Sequence, residues 1–177
     1  MRRAWAFRVL AACAVLGFTI SAASADATAN THLFARMSGF SETAPPILSD
    51  GNATLVATIH DNSSITYRET FSALSAPVTQ SHFHFAPRGV GGGVFLFLCT
   101  NLTPPAGVPT PPACPAAGGT VTGTLTAANV IGLPAQNLKA GDFAGALRIL
   151  RSGNAYANIH TTGFPQGEIR GQVNAED

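Results

Sequence analysis

The segment Ser81-His82-Phe83-His84-Phe85 places two imidazoles two residues apart. On a β-strand side chains alternate, so His82 and His84 project to one face about 7 Å apart while Phe83 and Phe85 project to the other. Two imidazoles so placed form a two-point clasp for a metal ion. The best third ligand is His160, in Tyr156-Ala157-Asn158-Ile159-His160, on a strand whose alternate positions carry Tyr156 and Asn158. Neutral imidazoles in a set of three suit copper or zinc. The same residues have a structural use, in which the imidazoles hydrogen-bond backbone carbonyls and fasten neighbouring loops. His32 and His60 have no partner at ligand spacing and read as surface or structural residues.

Other chemistries find less support. There is no Gly-x-Ser-x-Gly elbow for a serine nucleophile, and the acidic residues form no recognisable pair for acid and base work. Glu168 and Arg170 alternate around Ile169, so they are expected to share a face and to pair with each other or with a neighbouring strand. Gly89, Gly91, Gly92 and Gly93 make a flexible hairpin, but no Lys-Ser/Thr follows to complete a phosphate loop. The sequons at Asn52, Asn62 and Asn101 matter only in a eukaryotic secretory path.

These residues need strands to hold them, and the chain supplies short β-branched and aromatic runs punctuated by Gly, Pro, Asn, Asp and Ser. The expected strands are residues 32–37, 52–60, 64–70, 80–85, 94–99, 119–126, 144–150, 156–161 and 168–173. Turns fall at Ser49-Asp50-Gly51, Asp61-Asn62-Ser63, Pro87-Arg88-Gly89 and residues 163–167. Many short strands at regular spacing predict an all-β antiparallel sandwich or barrel. Residues 144–150 carry an alternative, a short helix capped by Asp142.

The chain has 177 residues, enough for one domain, and only 11% are charged against roughly 25% in ordinary soluble domains. That excludes a disordered charged tail, a coiled coil and a nucleic-acid binder built on a dense basic surface. Arg2 and Arg3 precede an apolar run from Val9 to Ile20 and then Ser21-Ala22-Ala23-Ser24-Ala25, the pattern of a secretory signal cleaved near Ala25. The run is short against the roughly 20 residues a membrane helix needs, and no later run is long enough to span. Lipoprotein processing at Cys13 is disfavoured because Arg8 interrupts the apolar stretch, and Ala4-Trp5-Ala6 lacks the residues expected after a twin-arginine pair. Removal of residues 1–25 takes three of the ten Lys and Arg and none of the nine Asp and Glu, leaving 152 residues with a net charge of −2. The mature chain is thus expected in the periplasm or outside the cell.

Export exposes the two remaining cysteines, Cys99 and Cys114, to an oxidising compartment. They flank the Pro-rich stretch Thr100 to Ala113, and a disulfide closing a loop of that size stabilises the fold by about 3 kcal/mol. A thiolate metal site would want C-x-x-C spacing, which is absent.

Residues 153–173, Gly-Asn-Ala-Tyr-Ala-Asn-Ile-His-Thr-Thr-Gly-Phe-Pro-Gln-Gly-Glu-Ile-Arg-Gly-Gln-Val, resemble the closing signature of the CHRD domain, the module named after chordin. Residues 37–46, Met-Ser-Gly-Phe-Ser-Glu-Thr-Ala-Pro-Pro, are similar to its opening stretch, and His82-Phe83-His84 occupies the place of its His-Ile-His-Gly motif. The usual Gly after the second His is missing at Phe85-Ala86-Pro87. The resemblance implies an immunoglobulin-like β-barrel over residues 32–173, with 26–31 as a short extension and 174–177 as a tail. It also implies an exported bacterial, non-enzymatic binding module that meets an unidentified extracytoplasmic or surface partner. A metal-dependent redox enzyme of superoxide-dismutase type and a ligand-free envelope or matrix module are the alternatives. The additional His/Asp set of a dismutase zinc site is absent, so the resemblance does not carry dismutase activity with it.

Overall fold

A computed structural model describes Met1, residues 30–43 and residues 45–176. The expected signal segment and Cys13 lie outside the described residues. Among the described residues there are nine strands: β1 (Thr31–Ser38), β2 (Asn52–His60), β3 (Ser64–Ser72), β4 (Val78–Phe85), β5 (Gly93–Thr100), β6 (Gly119–Leu125), β7 (Ala155–Thr161), β8 (Ile169–Gln172) and β9 (Asn174–Glu176). They form one antiparallel sheet in the order β5-β4-β7-β8-β1-β2-β3-β6, with β9 added alongside β1. The two ends of the order approach each other, so the sheet rolls into a nearly closed barrel. The all-β expectation holds, with one short α-helix added among the described residues.

Local sequence accounts for most of this. The β2–β3 hairpin keeps its register from Asn52↔Ser72 to His60↔Ser64. Its turn places Asp61 and Asn62 at φ 45° and 55°, and Ser63 N–H donates to the His60 carbonyl at 2.8 Å. Asp and Asn tolerate the left-handed region, and two such residues in succession match the twist of the flanking strands. Along β2 and β3 buried and exposed residues alternate strictly, as a sheet with one wet face requires.

The barrel interior is filled by Leu33, Leu55, Ile59, Ile65, Phe71, Phe83, Phe95, Leu98 and Ile159, all fully buried. Two polar groups of β3 cross it. Tyr67 donates its hydroxyl to the Leu98 carbonyl, and Glu69 accepts a hydrogen bond from Ser81 at 2.9 Å.

One sequence expectation is corrected here. Residues 144–150 are not a strand: they lie in a helix, α1 (Phe143–Arg151), and Asp142 Oδ1 caps it by accepting from Gly145 N–H at 2.9 Å. Phe143, Ala146, Leu147 and Leu150 are buried, an i, i+3, i+4, i+7 stripe, and Arg148 and Arg151 sit in the last turn where they favour the helix dipole. The short run is too densely apolar for its period to be read from composition, whereas the cap decides in favour of the helix. Residues 174–176, in the segment expected to follow the domain, add β9 to β1 through His32↔Glu176.

The disulfide joins Cys99 at the end of β5 to Cys114, with their Cα atoms 5.1 Å apart. Asn101 locks the loop it closes, donating to the carbonyls of Val78 and Cys114 and accepting from Cys114 N–H.

Candidate metal centre

β4 and β7 are neighbours, and their register sets the site. His82 lies opposite Asn158, His84 opposite Tyr156 and Gln80 opposite His160. His82 and His84 therefore share the outer face of β4, Phe83 points into the core, and His160 comes in on the diagonal from β7. The ring centroid of His82 is 4.6 Å from that of His84 and 4.6 Å from that of His160. Register shifts against β5 fall between Ser81 and His82 and between Phe83 and His84, and irregularities of this kind re-aim side chains beside sites.

Three loops roof this outer face. The segment after β1 brings Glu42 over β7, where its carboxylate accepts from Asn158 Nδ2 at 2.6 Å. Between β4 and β5 the Gly92 carbonyl accepts from His84 Nδ1 at 2.8 Å, and Gly92 N–H donates to the Tyr156 hydroxyl at 3.3 Å. A side chain at Gly92 would run into the Phe85 carbonyl, so the approach of that backbone to His84 needs glycine. Between β7 and β8 the Pro165 carbonyl accepts from His160 Nδ1 at 2.9 Å.

Those two carbonyls fix the tautomers. With Nδ1–H committed, His84 and His160 each present an Nε2 lone pair, and neither Nε2 has a hydrogen-bond partner. His82 Nδ1 is buried and unpartnered in the same way. One ligand atom from each of the three histidines lies within 4.8 Å of the other two, and among the described residues this is the cluster of His, Cys, Asp and Glu able to hold an ion.

Burial keeps the three rings neutral. His82 is only 2% exposed, and burial followed by the adjacent His84 and His160 holds it well below the ordinary histidine range. His84 is lowered to about 4 by burial, against the opposing Gly92 hydrogen bond, with His160 and Arg170 adding to the fall. His160 is lowered by burial, which the Pro165 hydrogen bond only partly offsets. Neutral imidazole is the form that binds a metal.

Beside the cluster is a cavity of about 560 Å³ whose walls include His84, His160, Glu42, Tyr156, Asn158 and Arg170. Tyr156 stacks on His84, with centroids 4.5 Å apart and planes 4° from parallel, and carries the Arg170 guanidinium 3.6 Å over its ring. Burial pushes the Glu42 carboxyl up to about 7, against the opposing pull of Arg170 and the Asn158 hydrogen bond.

The expected face shared by Glu168 and Arg170 does not form. β8 begins at Ile169, so alternation does not extend back to Glu168, and the two side chains take separate partners. Glu168 accepts from Ser49 Oγ at 2.6 Å, Ser75 N–H at 2.8 Å and Thr161 Oγ1 at 2.8 Å. Burial opposes its ionisation, but these hydrogen bonds outweigh it and hold the carboxyl below its ordinary value. Arg170 donates to Thr43 Oγ1 and the Val90 carbonyl instead. His32 and His60 stay away from the cluster and meet Thr58 and Thr66.

Sequence reading missed Glu42, which reaches the site from a loop. It also missed the cavity role of Arg170, although Asn158, His160 and Arg170 carry a usable signal in their alternation on β7 and β8.

A model of the CHRD domain matches residues 33–173. No curated protein and no solved structure matches the chain. The match covers both strands that carry the histidines and all three loops that roof them, and the chain belongs to the CHRD domain family.

Proposed function

We propose that this chain is an exported, non-enzymatic binding module that holds one copper or zinc ion through His82, His84 and His160. The observation carrying this reading is the convergence of three buried ring nitrogens that have no protein partner. Leaving one buried polar atom unsatisfied costs about 1–3 kcal/mol, and three in one place are a defect unless a ligand takes their lone pairs. Fastening of loops does occur at His84 and His160, but through the opposite ring nitrogen. Such hydrogen bonds also orient ligand imidazoles, so the structural use serves the metal use. Export rests on the N-terminal signal pattern of residues 1–25 and fits the Cys99–Cys114 disulfide.

Metal analysis of the mature chain, followed by titration with Cu(II) and Zn(II), is expected to give about one ion per chain. The His82→Ala/His160→Ala double variant, checked for folding by circular dichroism, is expected to bind none. Unchanged stoichiometric binding in that folded variant sinks the assignment. The cavity beside the histidines favours a second reading, a metal-dependent redox enzyme with an open coordination position. Superoxide or peroxide turnover by the loaded protein separates it from a binding module. Absence of both metal and small-ligand binding would leave a structural envelope or matrix module.

A further inference from the structure

We infer that the cavity beside the three histidines binds a small anion of the carboxylate or oxyanion class, anchored by the guanidinium of Arg170. The inference rests on the metal reading and follows from charge balance. Three neutral imidazoles bring no negative charge to a divalent ion. Arg170, only 3% exposed, adds a further positive charge on the cavity wall, and its recorded hydrogen bonds go to a hydroxyl and a carbonyl. Glu42 is the one carboxylate on that wall, and it is already engaged with Asn158. Even with Glu42 ionised, an ion in the cluster leaves a surplus of two positive charges on side chains that are themselves buried, where unbalanced charge is costly.

The geometry suits a ligand that completes the balance. Arg170 is held in place by the Tyr156 ring beneath it and by Thr43 and Val90, so its fork is fixed before a ligand arrives. Tyr156 stacks in turn on His84, which brings the guanidinium and the metal-facing histidines into one wall. Gly91, Gly92 and Gly93 line the same cavity without side chains to fill it.

The probe is azide, titrated into the Cu(II)-loaded mature protein and followed by its ligand-to-copper absorption band, with acetate as competitor. Arg170→Leu is expected to weaken azide binding about tenfold, the loss of one close charge pair, while leaving copper stoichiometry at that of the wild type. Arg170→Lys is expected to recover part of that loss. Glu42→Gln keeps the acceptor for Asn158 but removes a negative charge, and is expected to tighten azide about threefold. Because the two substitutions act in opposite directions, a folding defect in the arginine variant does not decide the result. Copper bound with no azide response, or with one affinity across wild type and Glu42→Gln, overturns the anion site alone. Failure to take up either Cu(II) or Zn(II) overturns both readings.

Discussion

β2–β3 and β4–β7 are both antiparallel pairs in one sheet, yet they treat their outer faces differently. On β2 and β3 every second residue meets solvent, and apart from Val56 the outward side chains are polar: Asn, Thr, His, Arg and Ser. On β7 all seven residues are buried, and on β4 the run Ser81 to His84 is buried on both faces. The inward faces of the two pairs are alike. What differs is the roof, formed by the loops after β1, between β4 and β5 and between β7 and β8. Polar residues on an open outer face are solvated and inert. The same class of residue under a roof loses water, must find partners, and becomes reactive where it does not find them. The three histidines are the groups of the roofed face left with unused lone pairs.

Three tests sharpen this contrast, beginning with the largest effect. Glu69 points inward from β3, and burial raises its carboxyl to about 8, against the Ser81 hydrogen bond, from an unfolded value near 4.5. An acid protonated in the fold but ionised when unfolded makes stability fall as pH rises between those values. Above pH 6.5, where the three lowered histidines no longer oppose it, wild-type stability is therefore expected to fall as pH rises towards 8, and Glu69→Gln to flatten the fall. Urea unfolding at several pH values checks it, and an equally steep fall in the variant would show that Glu69 is not the group responsible.

The disulfide comes next. The Cys99→Ser/Cys114→Ser double variant is expected to lose about 3 kcal/mol, read by chemical denaturation. Loss near zero would mean that the Asn101 hydrogen bonds alone hold the loop.

The smallest pair tests the roof itself. Asn158→Ala removes an outward side chain of β7 that donates to Glu42 and to the Ile169 carbonyl, and is expected to cost about 1–3 kcal/mol. Arg68→Ala removes an outward side chain of β3 that is exposed, and is expected to stay within about 0.5 kcal/mol. Equal costs in thermal unfolding would erase the distinction between the two faces.

Much of the fold was legible because strand signals are local. Alternation along residues 52–60 gave the bounds of β2 without error, and Asp61-Asn62-Ser63 announced its hairpin. The Ala144–Leu150 run reads as a strand or as a helix capped by Asp142 because its apolar density hides the period, and residues 174–176 carry too few side chains to signal a strand. In the site, His82 and His84 were visible as a pair by spacing alone. Their meeting with His160 was an expectation that β4 and β7 pairing fulfils. Glu42 was out of reach, since a residue in an irregular loop has no period to betray where its carboxylate lands.

The sequence by itself determined the strands, their turns, the His-x-His face and membership of the CHRD family, because each depends on residues close together in the chain. Tertiary structure decided which strands are neighbours, which outer face is roofed, and that Glu42, Arg170 and three histidines line one pocket. Those outcomes depend on contacts between segments far apart in the chain, such as Glu42 with Asn158. Side-chain period specifies the two faces of a strand, but only the path of distant loops specifies whether a face is wet or dry.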